Sequence, residues 1–110
     1  MSELTVRSEY VYSTLGLDPD LGDLVEMFVE ELPSRIAMIQ DCWQRADMDG
    51  LGRAAHQLKG AAGSYGFEEL TPSLTRLDHN VRMSRPEAEI VSSIDEVAEL
   101  CQRARAGGPE

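Results

Sequence analysis

Aromatic residues are scarce, at 5% of the chain (two Phe, three Tyr and one Trp), and the β-branched residues never gather into alternating runs bounded by hairpin turns. Nothing resembles a strand, so sandwiches and barrels are excluded. Cysteine is limited to Cys42 and Cys101, far apart and without a CxxC pair. A disulfide framework or zinc knuckle therefore has no support, and both residues read as small core side chains or free thiols. Long apolar runs are also missing, since none approaches the roughly 18 residues of a membrane span. The opening MSELTVRSEY lacks the basic-then-apolar layout of a secretory signal. A cytoplasmic location and no membrane partner are expected. Basic residues are outnumbered, ten Lys and Arg against twenty Asp and Glu, for a formal charge of -10. That balance repels nucleic-acid phosphates over most of the surface, so no nucleic-acid partner is expected.

What is present is helical periodicity. With 110 residues and 42% hydrophobic content, the chain suits one domain with one core. Asp18 and Pro19 form an N-cap and first-turn pair, after which Leu21, Leu24, Val25, Phe28, Val29, Leu32, Ile36, Ile39 and Trp43 recur at helical spacing. Pro33 interrupts this stripe and predicts a kink or break after Leu32. Asp47 and Asp49 are cap candidates for a second helix, closed by Gly66 as a left-handed residue after Tyr65. A third helix is expected from Glu68 or Thr71 to Met83, with Leu70, Leu74, Leu77 and Val81 inward. Ser84, Pro86 and Glu87 read as a capping box for the last helix. Its stripe is Ile90, Ile94, Val97, Cys101 and Ala104, ended by Gly107, Gly108 and Pro109. The expected fold is all-α, an antiparallel four-helix bundle over residues 18–106. Residues 1–17, with Val6, Tyr10, Val11, Tyr12 and Leu15, form an N-terminal extension packed across one end, and 107–110 are a tail. A single bundle satisfies its own stripes, so a monomer is expected.

The second helix carries two faces. Leu51, Ala54, Leu58, Ala62 and Tyr65 cluster on one side of a helical wheel and turn toward the core, whereas Gly52, Lys59, Gly60 and Gly63 surround His56 on the opposite, solvent-facing side. Glycine inside a helix costs about 1 kcal/mol relative to alanine. Gly60 and Gly63 therefore suggest access: bare backbone beside an imidazole lets a partner or bulky anion approach Nε2 closely. Tight packing between helices would instead require these glycines on the core-facing stripe. Lys59 is the only lysine in the chain, and its flexible ammonium one turn from His56 suits an anion carried by the ring. A neutral imidazole attacks phosphorus without an auxiliary base, and phosphoryl transfer depends mainly on positioning and charge stabilisation.

The stretch AAHQLKGAAGSYG, His56 to Gly66 in particular, resembles the HxLKGxxxxxG signature of histidine-containing phosphotransfer (HPt) domains. MFVEELPSRI before it and LTRLD after it extend the likeness over about residues 20–105. The resemblance implies a four-helix bundle whose exposed histidine accepts and donates phosphoryl groups. It implies receiver domains as partners, with the acceptor aspartate and the Mg2+ on the receiver and no cofactor of the chain's own. Carried over by position, His56 is the phosphoacceptor, Lys59 steadies the phosphoryl group, Gly60 gives clearance and Gly66 closes the helix. Asp78 falls where relatives place Glu or Gln, positioned to accept a hydrogen bond from Nδ1 and leave Nε2 free. Gly52, Arg53, Gly60 and Gly63 make up the expected phosphoryl- and partner-binding surface. Ala61 stands where many relatives carry serine.

The leading expectation is a phosphorelay carrier shuttling phosphate between receiver aspartates, started by a separate, hybrid histidine kinase. No P-loop or kinase glycine-rich loop is present to take phosphate from ATP. The opening methionine favours a freestanding protein over a module of a longer kinase. The alternative is a non-phosphorylated adaptor bundle in which His56 is only a contact residue and Lys59 steers the partner. A hydrolase with His56 as general base lacks a nucleophile, Ser64 being turned about 80° away on the wheel. His79 lacks the glycine and lysine surroundings of His56 and reads as an ordinary polar residue. No metal site is expected, since no HxxxH or clustered His/Cys spacing supports a His56/His79 pair.

Overall fold

The computed structural model of the chain describes residues 10–108. A two-residue strand β1 (Val11–Tyr12) is followed by four helices, α1 (Gly22–Gln44), α2 (Met48–Ser64), α3 (Thr71–Arg82) and α4 (Glu87–Gln102), and by a second short strand β2 (Ala104–Arg105). A 3₁₀ turn, Glu68–Leu70, leads into α3. Each helix packs against the next and α1 closes the ring against α4, giving the expected all-α four-helix bundle. Its core is one cluster built from Val25, Phe28, Leu32 and Ile39 of α1, Leu51, Leu58 and Ala62 of α2, Leu74 and Leu77 of α3, and Ile90, Ile94 and Val97 of α4. Cys42 and Cys101 are buried free thiols, and burial pushes the Cys101 thiol up to about 12, so it stays protonated and inert.

Several local expectations need correction. The Asp18 carboxylate accepts from the amides of Asp20 and Leu21, making a turn that precedes the helix, so α1 starts at Gly22 rather than at Pro19. Leu24, placed on the inward stripe, is exposed. The helix runs through Pro33 without a break: Phe28 and Leu32 before it and Ile39 and Cys42 after it are buried together, and this shared burial outweighs one missing hydrogen bond. The capping box is absent. Pro86 is the N-cap of α4 and no side chain caps it; Ser84 instead takes a positive φ of 53° and closes α3. The last helix stops at Gln102, before Gly107, and Ala104 belongs to β2. Pro109, offered as part of that stop, lies outside the described residues.

The strands were also unforeseen. Val11 and Tyr12 pair in parallel with Ala104 and Arg105, and the Val11 amide donates to the Arg103 carbonyl at 2.8 Å. Val11 and Ala104 are buried beneath the pair, so the segment before α1 is tied across one end of the bundle as expected. Val6, assigned to that packing, lies outside the described residues. Further along, the Thr14 amide donates to the Gly66 carbonyl at 2.9 Å and the Ser13 hydroxyl to the Tyr65 carbonyl. Together they clamp the C-terminal end of α2.

Three helices end in the same way. At α1, α2 and α3 the residue after the C-cap, respectively Ala46, Gly66 and Ser84, adopts φ of 58°, 79° and 53°. Its amide and that of the next residue reach back to the last turn, as in Gly66 to Gly63 at 3.2 Å and Phe67 to Ala62 at 2.8 Å. These are Schellman closures, which favour glycine because an L side chain is strained at positive φ. Only Gly66 meets that preference, and a Cβ there would also lie 2.7 Å from the Ser13 hydroxyl. Ala46→Gly is therefore expected to raise stability by about 0.5–1 kcal/mol, strain relief exceeding the added chain entropy. Gly66→Ala is expected to lower it by more than about 1 kcal/mol. Urea unfolding of the two variants checks both signs.

Candidate functional site

The site is built on α2, and the rotation of that helix is set by its buried side. The side chain of Asp47 caps the start by accepting from the Gly50 amide at 2.9 Å, and Gly66 closes the end. Between them Leu51, Ala55, Leu58 and Ala62 have no exposed surface. Ala55 replaces the expected Ala54, which is only half-buried with Tyr65, so the core direction is turned slightly from the wheel estimate. The turn leaves His56 pointing outward, its side chain 71% exposed. Gly60 and Gly63 lie on the same outer side, and a Cβ built on either would meet nothing within 4 Å. Gly52 differs: it is half-buried, with its Cβ position 3.6 Å from a Val81 methyl. It belongs to the seam between α2 and α3 rather than to the open face.

Across that seam α3 brings in the one buried carboxylate of the site. Leu74, Leu77 and Val81 face the core, and this rotation sets Asp78 toward α2. Its Oδ2 accepts from Lys59 Nζ at 3.1 Å, lies 3.6 Å from the Arg82 guanidinium, and stands 3.7 Å from His56 Nδ1. The last distance is too long for a direct hydrogen bond, yet it fixes which ring nitrogen faces the carboxylate: Nδ1 is turned to Asp78, and Nε2 is on the far side of the ring. Burial disfavours the charged Asp78, but the hydrogen bond from Lys59 and the charges of Lys59, Arg82 and His56 outweigh it and hold the carboxyl below its usual range.

Lys59 is not the free surface ammonium expected from the wheel. Its side chain is 29% exposed and leans along the seam onto Asp78. Arg53 is exposed one turn before His56 and Arg82 one turn after Asp78; both border an open groove of about 760 Å³ that runs from His56 toward Met48 and Ser84. Arg82 was missed by the sequence reading, although its spacing of four residues from Asp78 on one helix was a usable signal. His79 is exposed on α3, apart from this groove. No group of three or more His, Cys, Asp or Glu that could hold a metal ion occurs among the described residues.

An exposed imidazole on a four-helix bundle, with a lysine and an arginine gathered by one carboxylate beside it and bare glycine backbone one and two turns away, defines a phosphotransfer type of bundle. The sequence comparison bears this out: a family profile, the Hpt domain, matches residues 23–107. The chain belongs to the Hpt domain family, and histidine phosphotransfer in a phosphorelay is the function this membership supports. Neither the curated proteins nor the solved structures gave a match. No helix among the described residues is long and apolar enough to cross a membrane.

The ionisation of Asp78 carries a consequence for acid stability. Its carboxyl titrates lower in the folded chain than in the unfolded one, so the charged form stabilises the fold above the ordinary carboxylate range near about pH 4. That stabilisation is lost as pH falls through the depressed folded value. Asp78→Asn removes this linkage, and a variant lacking it is expected to lose less stability than wild type below about pH 4, as measured by urea unfolding across the acid range.

Proposed function

We propose that the protein is a phosphoryl carrier that takes phosphate from the aspartyl phosphate of one receiver domain and passes it to another through His56 Nε2. The observation that carries this reading is the orientation of the ring: Nδ1 is directed at Asp78 and the opposite nitrogen stands on an exposed face. In the first step the Nε2 lone pair attacks phosphorus while the phosphorus–oxygen bond to the receiver aspartate breaks, releasing its carboxylate. The second step reverses this on another receiver. Positive charge on Nδ1–H is then opposed by Asp78, while Arg53, exposed one turn before His56, borders the groove in which the phosphoryl oxygens would lie. The partner brings the Mg2+ and the acceptor carboxylate; this chain brings the nucleophile and a low surface for contact. Gly60 and Gly63 leave that contact unobstructed.

Receiver domains and a hybrid histidine kinase are the partners of this reading, with the chain acting as a monomer in the cytoplasm. The local cations are unusual on a chain of formal charge -10, and they suit an approaching receiver whose own active site is acidic. Incubation of the protein with a phosphorylated receiver is expected to give an acid-labile, base-stable label that His56→Gln abolishes. A label that persists in His56→Gln overturns the assignment to that residue, and a wild-type protein that binds the receiver yet takes no label is an adaptor.

The glycine face has its own test. Gly60→Leu fills open space on a helix, so it is expected to raise stability by about 0.8–1 kcal/mol through helix propensity. The same side chain stands in the receiver's path and is expected to slow transfer by about tenfold or more. Unfolding curves and a transfer time course on the one variant read both effects.

A further inference from the structure

The arrangement of charges around Asp78 points beyond a simple positioning role. Three groups share a single carboxylate oxygen: Lys59 Nζ at 3.1 Å, Arg82 at 3.6 Å and His56 Nδ1 at 3.7 Å. Asp78 is itself 9% exposed in its side chain, while Arg82 is 68% exposed. Two of the three cations that line the groove beside His56 are thus already engaged by a competing anion from the neighbouring helix. A neutral amide at this position would hold them far less strongly, since hydrogen bonds and ion pairs to a charged acceptor are about twice as strong as neutral ones.

We infer that Asp78 is a positioning residue that withholds Lys59 and Arg82 from the phosphorylated ring and thereby keeps the phosphoryl group on His56 short-lived and ready to leave. This rests on the reading of His56 as phosphoacceptor and adds the direction in which its reactivity is set. Two effects act together. Cations drawn to Asp78 neutralise less of the phosphoryl dianion, which raises the ground state. Departure runs through a loose transition state in which the phosphoryl unit sheds charge onto the leaving nitrogen, so ground-state neutralisation is the quantity that protects it. The carboxylate beside Nδ1 also favours a proton there, and a ring carrying that proton leaves as neutral imidazole. In hydrolysis a water oxygen attacks phosphorus, the phosphorus–Nε2 bond breaks with its electron pair going to Nε2, and the products are inorganic phosphate and imidazole. In forward transfer the receiver carboxylate replaces water. Arg82 enters the site in this account as the second cation that Asp78 retains.

The test needs no receiver. Phosphoramidate phosphorylates imidazole directly: Nε2 forms the bond to phosphorus, the donor's phosphorus–nitrogen bond breaks and ammonia leaves. The protein is labelled this way, desalted, and the loss of phosphohistidine followed by 31P NMR. Asp78→Asn, nearly isosteric and still able to accept from Lys59, is expected to lengthen the lifetime by about three- to tenfold. The gain is expected to shrink in a Lys59→Ala, Arg82→Ala background, where no cations remain to be released. Asp78→Glu, which keeps the charge, is expected to stay nearer to wild type. A carboxyl titration of Asp78 by 13C NMR in the unphosphorylated protein reads the cation holding separately: Lys59→Ala and Arg82→Ala are each expected to raise its pKa.

If wild type is labelled and Asp78→Asn decays at the same rate or faster, the inference is overturned while His56 remains the phosphoacceptor. A titration that neither Lys59→Ala nor Arg82→Ala moves also overturns it. If wild type takes no label while both variants move the titration, the failure lies in the phosphoacceptor reading, and the inference falls with it.

Discussion

The rotation of α2 about its own axis governs everything else at the site. Leu51, Ala55, Leu58 and Ala62 lie at steps of three and four residues and carry no exposed surface, so turning the helix by even one residue would pull several apolar side chains into water. Each buried methylene is worth about 0.8 kcal/mol, and the summed penalty makes any other rotation untenable. His56, Gly60 and Gly63 occupy the side left over. Their outward position is a consequence of what is buried opposite them, and the two ends of α2 secure it further. Asp47 satisfies the first turn, while Gly66 and the Ser13–Thr14 clamp satisfy the last. The ring stack of Phe28 on Tyr65, 5.0 Å between centroids, joins that end of α2 to α1.

Much of this was legible in the sequence, for a physical reason. A glycine beside an imidazole, an aspartate before a helix and a glycine after one are local signals, decided by backbone sterics and hydrogen-bond inventory within a few residues. What was lost depends on distant partners. Ser84 and Ala46 take positive φ because the next element has to leave in a particular direction, and neither residue type announces it. The pairing of Val11 with Ala104 joins strands of two residues each, too short for any alternation to register. Ala54 and Ala55 differ by about 100° on the wheel, and only the neighbouring helices decide which is inside. Pro33 misled for a related reason, since propensity is a local cost and burial on both sides of it is a tertiary gain.

The charges follow the same division. The spacing of His56 and Lys59 on one helix was visible, but the destination of Lys59 was not, because the ion pair crosses from α2 to α3. Exposed pairs such as Arg85 with Glu89 and Arg35 with Glu31 contribute little. The Asp78 cluster differs because its acceptor is nearly buried and must be compensated to stay ionised. Breaking any one of its contacts changes the others, since all three groups approach the same oxygen. The site is a coupled unit in which imidazole, ammonium and guanidinium are set by a single carboxylate.

That coupling gives the chain's acidity a different meaning near His56 than elsewhere. A chain with twenty acidic residues repels anions at long range, yet Arg53, Lys59 and Arg82 concentrate positive charge within one groove. Screening cuts the repulsion to a distance of about 8 Å at physiological salt, so it discriminates among approaching surfaces without acting on a phosphoryl group once docked. An acidic partner surface finds complementary charge at the groove, where these three cations lie together. The net acidity and the Asp78 cluster are therefore separable properties of this bundle: the first belongs to the chain as a whole, the second is confined to the seam between α2 and α3.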